Sequence, residues 1–244
     1  MKSIFNHSRW MILELWRQPA YMVATIGFPA LFYMIFAVPE SKTQEAANLL
    51  LGSFSSFAVF GVVFLQLGVG IAQERNQSWY LYLRTLPVSP IAFFIARFLS
   101  SFVFSILAAA MIIILSLLFT PASLSSQVWI KFIFSLGFGA AAFSTMGLAL
   151  GYWAGEKSCL PIGNLIYLPL TFAGGLWKPP EILPQAIRDI SPYLPTRHYG
   201  ELVWASLLER ELEPKYLVYL GICFVFFGLM AILGFRRDQS ERFS

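Results

Sequence analysis

Charge is scarce in this chain. Only 12% of its 244 residues are Asp, Glu, Lys or Arg, against about 25% in an ordinary soluble domain. With 57% hydrophobic residues, 17% aromatics and a mean hydropathy of +0.67, that deficit excludes a water-soluble globule and indicates a membrane protein. Cysteine is rarer still. Cys159 and Cys223 are the only two; both lie in apolar runs, where a thiol behaves as a small buried hydrophobe, and they say nothing about redox compartment. Histidine is limited to His7 and His198. Neither has a Cys or His at ligand spacing, so there is no zinc pattern.

Other absences exclude further functions. The 17 basic residues give a net charge of +4, but they stand singly or in pairs and never form a run, which argues for a membrane surface and against nucleic acid as partner. The tetrapeptide Gly155-Glu156-Lys157-Ser158 lacks the Gly before Lys and the earlier Gly of a phosphate loop, so the chain does not bind ATP by that route. No nucleophile, base and orienting group share a depth in the bilayer; the chain is not expected to be an enzyme.

Crossing a hydrocarbon core of about 30 Å takes roughly 20 apolar residues. Six segments qualify: Ala20–Val38, Leu49–Ala72, Phe98–Phe119, Phe132–Ala154, Cys159–Leu176 and Tyr216–Phe235, none of which contains Asp, Glu, Lys or Arg. An even number puts both termini on one side. With the termini inside, Lys2, Arg9, Arg17, Arg75, Arg84, Arg97, Lys157, Arg236, Arg237 and Arg242 are cytoplasmic, and the two short outer loops keep only Lys42 and Lys131. The positive-inside rule therefore predicts cytoplasmic termini. The first apolar stretch follows an amphipathic lead and has no small-residue cleavage site after it, so it is not expected to be a removable signal.

In residues 1–18, Ile4, Ser8, Met11 and Leu15 share a stripe opposite Glu14 and Arg17, the pattern of a helix lying in the membrane surface; Pro19 ends it. Between spans five and six, Ile182, Leu183, Ala186, Ile187 and Ile190 form one apolar face, and Tyr199, Leu202, Val203 and Ser206 another. Two short helices dipping into the outer leaflet are expected. In the fourth span Gly147, Gly151 and Gly155, extended by Ser135 and Gly139, make a small-residue stripe for close packing inside the subunit or at a dimer contact. Pro161 and Pro169 should kink the fifth span, and Asn164 beside them suits interhelical hydrogen bonding or a ligand, as does Gln66 in the second. An uncharged aromatic lining, for which Phe57, Phe60, Phe64, Tyr167 and Phe172 are the candidates together with Asn164, would suit an amphipathic substrate; the same residues could equally face core or lipid. Ion-driven transport usually uses ionisable residues inside the spans. Their absence points to power supplied from outside.

The segment from Gln73 to Pro90 contains Glu74-Arg75, then Trp79, Tyr80 and Arg84, then Leu86-Pro87-Val88-Ser89-Pro90. Here the sequence resembles the ABC-2 family of ABC transporter permeases, in which a Glu-Arg pair closes the second span before a short helix and a Leu-Pro-Val-Ser-Pro-like turn. The likeness extends to Trp16-Arg17-Gln18-Pro19, to the six spans, and to Phe172-Ala173-Gly174-Gly175 with Leu183-Pro184 after it. Gln77-Ser78-Trp79 stands where relatives often carry Gly-Thr. The resemblance implies an all-α membrane protein over residues 1–244. It has six transmembrane helices, an N-terminal interfacial amphipathic helix, and re-entrant helices between spans five and six. It also implies a second copy of the permease, two copies of a separate ABC ATPase that carries ATP and Mg, no cofactor in this chain, membrane lipid around it, and residence in the bacterial inner membrane. Glu74, Arg75, Trp79, Tyr80, Arg84 and Pro87, with Glu14 and Arg17 of the surface helix, would then couple to the ATPase. The expected substrate is drug-like or lipid-like. A polysaccharide or lipid-linked glycan is the alternative within the family; an ion-coupled secondary transporter and a non-transporting assembly factor are alternatives outside it.

Overall fold

The computed structural model describes residues 23–75 and 90–241, with Arg17 and Gln77 beside them. All regular structure among these residues is helical. The expected surface helix over residues 1–18, apart from Arg17, lies outside the described residues, as does most of the segment between Glu74 and Pro90.

Helix α1 is a composite: a π turn at Val23–Gly27, an α segment at Phe28–Phe32, a second π turn at Tyr33–Ala37 and a 3-10 turn at Val38–Glu40. Pro29 has no N–H to donate, so regular α bonding cannot run through it and the turn before it widens. Helix α2 runs over Gln44–Glu74 and starts at Thr43, whose hydroxyl accepts from the Ala46 N–H at 3.2 Å. A π turn at Val62–Gln66 interrupts it. Helix α3 spans Pro90–Phe119 and α4 spans Ser126–Trp153, the latter capped by Ser125. Helix α5 covers Glu156–Ala173 with Pro161 and Pro169 inside it. Two shorter helices follow, α6 at Gln185–Ile190 and α7 at Pro195–Leu207, before α8 at Pro214–Glu241.

Four of these helices, α2, α3, α4 and α8, are long and apolar enough to cross a membrane, and α1 adds a shorter apolar helix. α5, 18 residues long with its two prolines, is not among the four. The helices outrun the apolar windows read from the sequence because hydropathy ends where polar residues begin, whereas helical bonding continues to the caps. Thr43 and Ser125 extend α2 and α4 at their starts, and α8 continues through Arg236, Arg237 and Asp238.

α2 is the centre of the bundle, with 72% of its apolar window buried; α8 has 17% buried and lies at the edge against α4. The α3–α4 turn is pinned to the start of α2, because Asn48 donates to the Ser123 carbonyl and accepts from its N–H, both at 3.1 Å. After α5 the chain turns at Gly175, whose φ of +83° puts it in the left-handed region that glycine adopts freely. α6 has no buried residue: Ile182 and Ile190 are exposed, while Leu183 of the same expected face is buried. α7 behaves oppositely. Tyr199, Leu202, Val203 and Ser206, the second expected face, are all buried, wedged between α2 and α4.

Candidate transport site and coupling face

α2 ends in an ionic clasp. Glu74 in its last turn pairs with Arg97 of α3. The next residue, Arg75, turns back into the bundle: it donates to the carbonyl of Tyr152 at 2.5 Å and to that of Ala154 at 3.4 Å, and lies 3.4 Å from the Asp238 carboxylate of α8. Its guanidinium also lies 5.7 Å from the centre of the Tyr152 ring. The two carbonyls are at the C-terminus of α4, where a cation meets the negative end of the helix dipole. Nearby, Trp153 donates to the Met230 carbonyl of α8 at 2.9 Å, and Arg237 stacks over its ring. Charge thus ties α2, α3, α4 and α8 together at one end.

Glu74 and Arg75 are thus tied into the bundle at the end of α2; Arg97, Arg75 and Asp238 are buried or nearly so there. Of the other expected coupling residues, Glu14, Trp79, Tyr80, Arg84 and Pro87 lie outside the described residues, and Arg17 is exposed. Sequence reading did not single out Asp238, Tyr152 or Arg97. Their signal was a charged or phenolic side chain at the edge of an apolar run, which any membrane helix end can show.

The expected substrate-facing aromatics divide into two groups. Phe57, Phe60 and Phe64 are enclosed in the core of the bundle. Phe60 packs against Phe143 at 4.2 Å between ring centres, and Phe57 stacks on Tyr167 at 5.2 Å. The Tyr167 hydroxyl donates to the Phe57 carbonyl at 2.8 Å, a contact that Gly61 permits because a side chain there would meet the phenol.

Asn164 and Phe172 reach open space, in two separate grooves. Asn164 lines a groove of about 420 Å³ among α1, α2 and α5, together with Thr25, Gln66 and one side of Tyr167. Gln66 donates to the Thr25 hydroxyl at 2.7 Å, and each residue sits in a π turn. Such wide turns recur at functional sites. This groove offers a few hydrogen-bonding groups in apolar walls, the usual make-up of a site for an amphipathic molecule. Phe172 lines a groove at the opposite end of α2 from the clasp.

An all-helical bundle with charge confined to its ends and a Glu-Arg pair closing its central helix has the features of the permease family that the sequence resembles. Residues 5–208 match the family described as ABC-2 type transporter. The chain belongs to the ABC-2 type transporter family. It is 27% identical over 194 residues, 77% of this chain and 78% of the relative, to YvfS of Bacillus subtilis, whose name designates it a transport permease. It is also 25% identical over 180 residues to the inner membrane transport permease YhhJ of Escherichia coli, covering 70% of this chain but only 46% of that longer relative. As an ABC-2 transport permease the chain is a membrane-embedded transport protein.

Proposed function

We propose that this ABC-2 permease is the membrane-spanning subunit of an ATP-driven exporter, with ATP and Mg held on a separate ATPase. Two copies of the permease and two of the ATPase make the working unit. In this reading α1 to α5 and α8 are the six spans, both termini and the clasp face the cytoplasm, and α6 and α7 dip into the outer leaflet of the inner membrane. The bias of Lys and Arg toward one side supports that orientation.

The observation that carries the proposal is the clasp. Glu74 and Arg75, which precede the expected coupling segment, sit where charge joins α2 to α3, α4 and α8, so an ATPase pressing on the chain just after them would move four helices together. The expected spans hold no ionisable residue that could draw on an ion gradient. The substrate is amphipathic, drug-like or lipid-like, which the apolar walls and sparse polar groups of the α1–α2–α5 groove support. Phe57, Phe60 and Phe64 serve to hold the bundle, and the ligand in this groove meets Asn164 and Tyr167. Export requires that the ligand bind the two ends of the cycle with different affinity.

The test is substrate-stimulated ATP hydrolysis by the permease and its ATPase in proteoliposomes. Trp79→Ala with Arg84→Ala is expected to lower stimulation by about tenfold, as loss of an interface anchor does, with thermal stability unchanged. Arg75 is unsuitable for this test because it also holds α4 and α8. Full stimulation by the double variant with the ATPase still bound would overturn the coupling role; flux driven by an ion gradient without any ATPase would overturn the exporter.

A further inference from the structure

We infer that the groove at the Gln44 end of the bundle is a second ligand site, one that selects amphipathic organic cations. That this end faces outward, making the groove a station on the way out, rests on the export reading; the binding itself does not.

The groove encloses about 680 Å³, within the roughly 300–1,000 Å³ of small-molecule sites. Its walls are aromatic: Phe36 of α1, Phe54 of α2, Phe172 at the end of α5, and Trp177 just beyond it. Trp177 is held rigidly. Its indole N–H donates inward to the Thr171 hydroxyl at 3.1 Å, and its ring meets Phe32, Phe57 and Phe172 edge-on at 5.3, 5.7 and 6.2 Å. With its donor already used, Trp177 offers the groove an apolar, π-rich surface, and such rings attract cations.

The charges lie at the mouth. Glu40 and Glu45, on either side of the α1–α2 turn, and Lys178 line the same groove, and none of the three has an ion-pair partner among the described residues. The lining of the groove therefore carries one net negative charge above an aromatic interior, while Lys42 of the turn and Glu181, which oppose each other in sign, stand outside the lining. An organic cation satisfies both parts, its apolar body against the rings and its charge beside two carboxylates. An anion is repelled. A phospholipid is disfavoured, because its phosphate would approach two carboxylates with Lys178 as the one cation in the lining. Phe57 separates this groove from the polar one, touching Trp177 on one side and Tyr167 on the other.

The test is equilibrium binding of tetraphenylphosphonium to the purified full-length permease in nanodiscs, with tetraphenylborate, nearly the same shape but opposite charge, as the comparison. Neither needs an ATPase or nucleotide, so the result stands apart from the export assay. Saturable binding of the cation and at least about tenfold weaker binding of the anion are expected. Glu40→Gln with Glu45→Gln should weaken cation binding by about fivefold to tenfold, as two partly screened charge pairs would; Lys178→Gln should strengthen it about twofold. All three residues are exposed, so melting temperature should not change. Equal affinity for the two probes, or undiminished cation binding in the double Gln variant, would overturn the proposal. So would displacement of the probe when phosphatidylethanolamine replaces phosphatidylcholine in the disc, which would make the occupant a lipid. Loss of binding in Asn164→Leu with none in the double Gln variant would assign the cation to the other groove.

Discussion

Between Val63 and Gly68, α2 lies backbone to backbone against α4, while toward Gln44 the same two helices are held apart by α7. In the first region a side chain on Gly147 would meet the Val63 carbonyl at 2.5 Å and the Phe64 carbonyl at 2.8 Å, and one on Gly151 would meet the Gly68 carbonyl at 2.7 Å. The charged clasp at Arg75 closes the bundle just beyond. In the second region Tyr199 and Trp204 of α7 fill the gap: Tyr199 sits on Gly139 and donates to the Leu136 carbonyl at 3.3 Å, and the Trp204 N–H donates to the Ser53 hydroxyl at 2.8 Å. The difference teaches that one half of the seam is built from backbone, which cannot yield, and the other from large side chains, which can repack. Relative motion of α2 and α4 is therefore cheaper at the α7 end, where both the aromatic groove and the wedge lie.

Four substitutions break or sharpen this contrast. The largest effect is expected at the clasp: Arg75→Ala removes the cation beside buried Asp238 and the donor to two α4 carbonyls, at a cost of about 3–4 kcal/mol. Chemical or thermal unfolding in detergent should show it. Adding Asp238→Ala should recover part of the loss, and strict additivity in that double-mutant cycle would mean the pair is not coupled.

Next comes Gly147→Val, which drives a branched side chain into two backbone carbonyls and should cost about 2–3 kcal/mol. Melting temperature and monodispersity report it. An unchanged protein would show that the α2–α4 contact is looser than the geometry describes.

Trp204→Phe keeps most of the wedge and removes the hydrogen bond to Ser53, so about 1 kcal/mol is expected. A loss as large as that of Gly147→Val would show the wedge half to be as unyielding as the backbone half. The smallest effect belongs to Gly221→Val on the outer face of α8, where a new side chain meets nothing within 4 Å; under about 0.5 kcal/mol is expected, and a larger loss in lipid would reveal a neighbour on that face.

How far each feature was legible depends on its range. The small-residue stripe of Gly139, Gly147 and Gly151 was visible as spacing, and the structure directs it to packing within the chain, against Tyr199, Phe64 and Gly68. The apolar faces after α5 were also visible, yet nothing in their pattern says that α7 is driven between α2 and α4 while α6 stays open. Phe57, Phe60 and Phe172 read alike in sequence. Only packing encloses the first two and leaves Phe172 at a groove.

The sequence by itself determined what depends on one residue and its solvent: membrane class, apolar helices, chargeless spans, and the places where proline and glycine interrupt the backbone. Removing a charge or an unbonded peptide from water is costly whatever the neighbours are. The tertiary structure alone decided what depends on pairs: that Arg75 reaches Asp238 and the end of α4, that Gln66 meets Thr25, and which aromatic rings line space. A phenyl ring is equally at home in lipid, in a core or along a groove, so hydropathy cannot separate these fates, and only the contacts that each ring finds can do so.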